Sequence, residues 1–566
     1  MNKRVMNTVR TMVLACVIVL AGLALPISGC SVPGCFRTPG VHVPTLDPHL
    51  IAAFEFPGTG WNLSPEKMLS PDGKHLLLLR SDAQGKHLVA VSLEGQNGSS
   101  KGNTSQYTTQ AGTTVGNLTP NLAAERAQET KFHSLSGEET SREFGYYPLG
   151  WISDDRCLFA IFGWMNDGPN QGKRGLSLRE GDLEKGKRRP DVSASSELVF
   201  EEIPNGYCRS VVYVPDMRKV YFTVATPTTD GTGTTEIKEF DTKKRTVRLV
   251  KGGLPLYDGL FNPKLSPDGK YYVYNIYEPN RSGLYILDTA TGHEKLLIPA
   301  GDSLTFLPEW SDDSQYIASY TVRRLGGRQT TALKDYNIFF AEDGPMPVGE
   351  SITVMDTQGK IVKTIQVPGK FLTGFRWSKN SVTLGFMGGT GKECGSPIYP
   401  EATREINFDS VWLCDVTQND DLVKLADISN AAKDRYVYPV ACTPDGQGLF
   451  YEIYEQEGIS VWYASRQKEP VDITGQGPVI VSGGAWGFPS SVYFGDSLLA
   501  MIWEDNKTSL WLLGSDKFWK FAEFNRSGQI TVFGFNEDIL VVYKGDPNAS
   551  LQDEGSSQIL VYKMTR

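Results

Sequence analysis

An all-β fold assembled from repeated four-stranded units is what this chain predicts, and three observations lead to it. Short alternating runs such as Tyr271–Tyr277 and Leu284–Leu287 put every second side chain on one face, as strands require. A turn of the form Ser-Pro-Asp-Gly, or a close variant, recurs ahead of such runs at Ser70, Ser153, Ser266, Ser311, Ser378 and Thr443. In all six turns the residue just before the Ser or Thr is apolar, as a buried strand needs: Leu69, Ile152, Leu265, Trp310, Trp377 and Cys442.

The turn has a physical rationale. Pro pre-sets φ, Asp bonds the backbone ahead of it, and Gly supplies a positive φ, so the chain reverses between two strands. The cleanest copy is Leu265–Leu297, which reads as strand, turn, strand, turn, strand. Before it stand copies with strands at His75–Arg80 and His87–Leu93, at Cys157–Phe162 and Leu198–Ile203, and at Val220–Val224, Ile237–Asp241 and Val247–Val250. After it come Tyr316–Val322 with Ile352–Asp356, Val382–Met387 with Val411–Asp415, and Leu449–Tyr454 with Val461–Ala464. Two degenerate copies, Val492–Phe521 and Ile530–Lys563, end the chain. The last copy shows three strands, and Ile51–Phe56 is expected to supply its fourth and close a ring between the two ends.

Repeats of this length with four strands each predict a β-propeller, whose radial repetition leaves only short edges. The wording SPDGKYYVYNIY…GLYILDTATG is similar to the TolB-type, WD-repeat-like propeller repeats, in which an S-P-D-G turn precedes a strand ending in D-x-x-T/G. The resemblance extends over most of residues 51–566 and implies a fold but no particular activity. Nine repeat-like units are countable. Eight blades are expected within a range of seven to nine, one unit being a split or accessory hairpin.

The first thirty residues read as a targeting signal. Lys3, Arg4 and Arg10 form a basic start, Met12–Leu25 is apolar, and Leu25-Pro26-Ile27-Ser28-Gly29-Cys30 follows. That end resembles the bacterial lipobox, which implies cleavage before Cys30 and lipidation of its thiol. The expected organisation is a leader (1–29), an extended Pro-rich tether (30–50) and one propeller domain (51–566). Such a protein is exported and held by lipid on the outer face of a bacterial cell membrane, or on the periplasmic side where the envelope has two membranes.

Composition excludes some functions. The whole chain carries a net charge of −9, and loss of the leader, with its three basic and no acidic residues, takes the remainder to about −12. A duplex-binding protein needs a concentrated basic face, so no nucleic-acid partner is expected. Six His and irregularly spaced Cys, with no C-x-x-C pair, predict neither a metal site nor a cofactor. Several cysteines sit in strand-like runs and are expected to be small buried apolar residues.

Polar insertions fall at about 94–143, 164–197, 323–350 and 388–409, and they concentrate on the two connections that leave a blade on the side opposite the Ser-Pro-Asp-Gly turns. Functional loops on rigid scaffolds are commonly placed so. That side is therefore expected to bind a protein or glycan partner, with Trp164, Asn166, Asp167, Asn170, Arg323, Arg324, Arg328 and Glu393 as candidate contacts. Residues 388–409 read as a loop whose deletion leaves stability nearly unchanged. A short helix is expected at Leu122–Glu129.

An enzymatic alternative exists. Gly163-Trp164-Met165-Asn166-Asp167-Gly168-Pro169-Asn170 resembles the W-M-N-D-P-N nucleophile motif of five-bladed glycosidases, and Lys392-Glu393-Cys394 resembles their E-C acid/base motif. The resemblance implies Asp167 and Glu393 as a carboxylate pair about 5–9.5 Å apart. Gly168 interrupts the first motif, however, and no R-D-P motif lies between the two. The preferred reading is a non-catalytic binding or scaffold module.

Overall fold

The computed structural model describes residues 47–56, 59–61, 67–82, 85–93, 114–117, 145–165, 168–183, 195–229, 233–256, 263–278, 281–323, 339–341, 347–379, 381–394, 403–419, 421–428, 436–455, 458–472, 479–480, 493–494, 497–504, 507–513, 518–525, 530–536, 538–545 and 557–565. The leader, Cys30, most of the tether and the helix expected at Leu122–Glu129 lie outside them.

Eight four-stranded blades make a β-propeller. Blade one comprises Thr59–Trp61, His75–Asp82, Gly85–Ser92 and Thr114–Asn117, and blade two comprises Gly145–Trp151, Arg156–Trp164, Arg174–Asp182 and Ser195–Glu202. Blade three runs from Tyr207 to Pro255, blade four from Lys264 to Pro299, and blade five from Ser303 to Ile365. Blade six is built on Phe371–Trp377, Thr383–Cys394, Thr403–Asp415 and Leu422–Asp427, and blade seven spans Tyr436–Asp472. The closing blade joins Ile530–Phe535, Ile539–Lys544 and Ser557–Thr565 to the N-terminal strand Asp47–Phe56. Between blade seven and the closing blade lies an irregular ninth sheet, in which two-residue strands flank Ser497–Glu504, Lys507–Leu513 and Phe518–Asn525. The degenerate C-terminal copies thus account for one regular blade and one irregular sheet.

The closing strand starts at Asp47, four residues before the start expected at Ile51. Joining the N-terminal strand and the last three strands in one sheet ties the two ends of the ring together.

Within a blade the second and third strands are buried on both faces, as Tyr271–Ile276 and Gly283–Asp288 show, while the fourth, such as Glu294–Pro299, is largely exposed and forms the outer rim. The core lies between blades. Tyr221 of blade three meets Tyr272 of blade four edge to face at 6.1 Å, and Tyr272 is 1% exposed. Cys157, Cys208, Cys414 and Cys442 are buried thiols outside any disulfide, in agreement with their reading as small apolar residues. Burial pushes the thiols of Cys157, Cys208 and Cys442 up to about 12, so they stay protonated.

The recurring turn is closed by its own side chains. Ser266 Oγ donates to Asp268 Oδ1 at 2.7 Å and accepts from the Tyr271 amide at 3.0 Å, while Asp268 Oδ1 accepts from the Lys270 amide at 3.1 Å. Ser70 with Asp72 and Ser311 with Asp313 repeat the arrangement. The residue after the Asp sits at positive φ, which Gly269 meets at +75° without the strain a side chain would add.

The apolar slot before the turn does more than fill space. Trp310 Nε1 donates to the Lys264 carbonyl of the preceding blade at 3.0 Å, and Trp377 Nε1 donates to Glu309 O at 3.3 Å. Trp151 reaches back from blade two to Met68 O in the same way, at 2.7 Å. Each tryptophan therefore packs between two blades and also bonds one to the next. At the following junction Cys442 Sγ lies 3.2 Å from Arg376 O.

The insertions differ from their sequence reading. Residues 94–143 contain the fourth strand of blade one, Thr114–Asn117, and residues 164–197 contain the third strand of blade two, Arg174–Asp182. Neither was identified, because TVGN is short and RGLSLREGD alternates weakly. Residues 388–409 are not a loop: strands run to Cys394 and resume at Thr403. Phe408 and Asp409 there are buried, so deleting 388–409 would remove part of the core rather than leave stability unchanged.

Candidate functional site

Two built-up places stand on the side of the ring that carries the insertions. The first belongs to blade two. Its second and third strands, Arg156–Trp164 and Arg174–Asp182, pair in register as far as Trp164 opposite Arg174. The connection beyond is tightly pinned. The Met165 amide donates to Lys173 O at 2.8 Å, the Gly172 amide to Met165 O at 2.8 Å, and the Lys173 amide to Asn170 O at 3.0 Å. A 3-10 turn spans Gly168–Asn170.

Glu197 on the fourth strand holds this connection from the side. Its carboxylate accepts from Asn170 Nδ2 at 2.8 Å and from Ser177 Oγ at 2.7 Å. Asn170, expected to contact a partner, therefore has its amide committed to the scaffold. Beneath, Arg174 is 8% exposed, lies over the Phe162 ring at 5.0 Å, and donates to the carbonyls of Ile203 and Gly206. What this frame presents to solvent is Trp164, 42% exposed at the strand's end. The other large apolar side chains exposed among the described residues are Leu50, Ile51, Leu249, Leu296, Ile361 and Val471, all aliphatic and all on outer-rim strands. Asn166 and Asp167 lie outside the described residues.

The second place is blade six. The insertion that leaves blade five after Arg323 contributes two strands to its neighbour, Phe339–Ala341 and Pro347–Gly349. Val348 pairs with Thr373 on the first strand of blade six, and Phe340 pairs in parallel with Thr403 on the third. Because Phe339–Ala341 pairs with both Pro347–Gly349 and Thr403–Asp415, the upper part of this sheet curls round and closes on itself.

At its foot Asp409, 7% exposed, accepts from Ser410 Oγ at 2.8 Å and Thr390 Oγ1 at 3.1 Å, and is ion-paired with Lys370. Arg323 pairs with Glu350 at 2.8 Å across the two ends of the insertion, an exposed pair that positions more than it stabilises. Arg324 and Arg328 lie outside the described residues. Glu393 is opposite Arg404 in the strand pair.

Of the proposed carboxylate pair, Asp167 lies outside the described residues, and what is placed is the strand leading to it and the strand that holds Glu393. Glu393 belongs to blade six, and the strand leading to Asp167 belongs to blade two, with blades three to five between them along one side of the ring. Glu197, Asp409 and Lys370, which fix both places, went unnoticed in the sequence because single polar residues beside strands carry no periodic signal. Among the described residues no group of His, Cys, Asp and Glu is arranged to hold a metal ion, and no helix is long and apolar enough to cross a membrane.

The fold and the placement of these sites define a β-propeller with built-up connections on one side. No protein-family model and no curated protein matches the sequence. Solved structures are similar at a low level, two of them described as propellers. The β-propeller domain of the trilobed protease from Pyrococcus furiosus is 14% identical over 63% of this chain and 93% of that one, with a TM-score of 0.32. Oligogalacturonate lyase from Vibrio parahaemolyticus is 12% identical over 74% of this chain and 98% of its own, with a TM-score of 0.33. The Dos1 propeller is 12% identical over 74% and 95%, with a TM-score of 0.37. At these identities and TM-scores no activity is carried over from them.

Proposed function

We propose that this chain is an exported lipoprotein of the TolB-like kind, anchored through Cys30, whose propeller is a non-catalytic module that captures a protein or glycan on its insertion-bearing side. The observation that carries the binding half is Trp164. An aromatic side chain left exposed on a pinned platform offers a large contact area at little cost in lost freedom, which is how interface anchors are built. The anchoring half is supported by the basic start, the apolar run and the Ile27-Ser28-Gly29-Cys30 sequence.

The anchor is tested by Cys30→Ala. The variant is expected to leave the membrane fraction and to lose incorporation of labelled fatty acid, with the propeller still folded. A variant that stays in membranes with the label retained contradicts lipidation at this position. The binding half is tested by Trp164→Ala, whose removal of an exposed ring is expected to abolish capture without changing the melting temperature.

A further inference from the structure

One position in the second strand of a blade faces the preceding blade, and the ring fills it with large side chains. Near the turn, Leu69 pairs with Leu76, Trp151 with Cys157, Tyr213 with Val220, Leu265 with Tyr272, Trp377 with Leu384 and Cys442 with Leu449. Two residues beyond the second member of each pair stand Leu78, Phe159, Phe222, Tyr274, Phe386 and Tyr451, all fully buried. In blade five the corresponding pair is Trp310 with Ile317, and the residue two beyond is Ser319. It too is fully buried.

Strand alternation fixes which way Ser319 points. Ala318 and Tyr320 pack into the core shared with blade six, whereas Ile317 packs with Val273 and Ile286 of blade four. Ser319 lies on the Ile317 face, toward blade four. By the same alternation Thr305, Thr321 and Thr353 lie on that face, since Leu304, Phe306, Tyr320, Val322, Ile352 and Val354 belong to the opposite core. The Thr321 hydroxyl bonds that of Thr305 at 3.3 Å and that of Thr353 at 2.8 Å. From blade four, Asn275 Nδ2 donates to the Thr305 carbonyl at 2.6 Å. This junction is therefore apolar around Trp310, Ile317 and Met355 and polar further from the turn. Ser319 stands opposite Thr353, yet its Oγ has no hydrogen-bond partner among the described residues.

A buried hydroxyl without a partner is costly, and a serine where other blades place Leu, Phe or Tyr leaves room beside it. Internal spaces that stay empty are apolar, while polar ones hold water. We propose that ordered water sits between blades four and five at Ser319 Oγ, shared with the neighbouring threonine hydroxyls. The two blades then meet here through solvent, where other junctions place a large side chain. The groups around Ser319 are neutral hydroxyls and one amide, able to donate and to accept, which is the donor set that water needs and that a bare ion does not. The site does not depend on lipidation or on the partner of Trp164.

A crystal structure of the full chain, at a resolution that shows ordered solvent, is expected to reveal density within hydrogen-bond distance of Ser319 Oγ. Ser319→Ala gives an independent reading, because the sign of its effect differs between a hydrated and an unpaired hydroxyl. With water in place, alanine strips it of one partner, and the melting temperature falls by about 1–2 °C. With the hydroxyl unpaired, alanine removes a desolvation cost and the melting temperature rises. A rise or an unchanged melting temperature overturns the proposal. So does a crystal structure in which the space beside Ser319 is filled by protein or shows no density.

Discussion

Replacing Trp310 with alanine is expected to destabilise the propeller by about 3–5 kcal/mol, among the largest effects of any single side chain in the ring. Trp310 is 9% exposed, stacks on Tyr271 at 6.5 Å, and donates to the Lys264 carbonyl of blade four. Alanine leaves a cavity at a blade junction and also cuts the bond across it. Trp310→Phe separates the two contributions: the ring remains, the donor is lost, and the expected cost is about 1 kcal/mol. Denaturant midpoints for the two variants are the readout. Equal losses would assign the whole effect to the hydrogen bond, and a loss below about 1 kcal/mol for alanine would contradict the junction role.

Asp409→Ala is the second large effect, expected at about 3 kcal/mol. The carboxylate is almost fully buried at the foot of the closed part of blade six, where it accepts from Ser410 and Thr390 and neutralises Lys370. Its removal leaves the Lys370 ammonium, 23% exposed, without its counter-charge. That residual exposure lets Lys370 turn toward water, which places the cost at the lower end of the range for broken buried pairs. Adding Lys370→Met to Asp409→Ala is expected to recover most of the loss, because a neutral pair needs no compensation. A double variant no more stable than the single one would show that the hydroxyl bonds, rather than the ion pair, dominate.

The repeat was legible in the sequence because its information is local. A Ser, an Asp two residues on and a Gly after it close the turn through bonds among near neighbours, so residues 266–271 announce their conformation without reference to the rest of the chain. Ring closure was legible for a similar reason: the last unit lacked one strand and the N-terminus held one to spare. The strands lent by the insertion after Arg323 were not legible. FFA and PVG are too short to show alternation, and their pairing partners lie in the following blade. The same holds for the extension of the blade-six strands through Gly388–Cys394, where glycines mask a strand sustained by its partner.

At the candidate site the sequence singled out the connection after the second strand of blade two, and the structure gives the residues there different roles. A glycosidase-like motif drew attention to Asp167, whereas the described geometry gives Asn170 a scaffold role through Glu197 and leaves Trp164 exposed. Exposure depends on how neighbouring blades pack, which no local pattern encodes.

The central claim is that the insertion-bearing side captures a partner through Trp164. It is tested most directly by cross-linking the full chain on intact membranes, with the wild type and Trp164→Ala side by side at equal abundance and equal thermal stability. The expected result is one dominant cross-linked species whose yield falls at least about tenfold in the variant. An unchanged yield in Trp164→Ala would contradict the account.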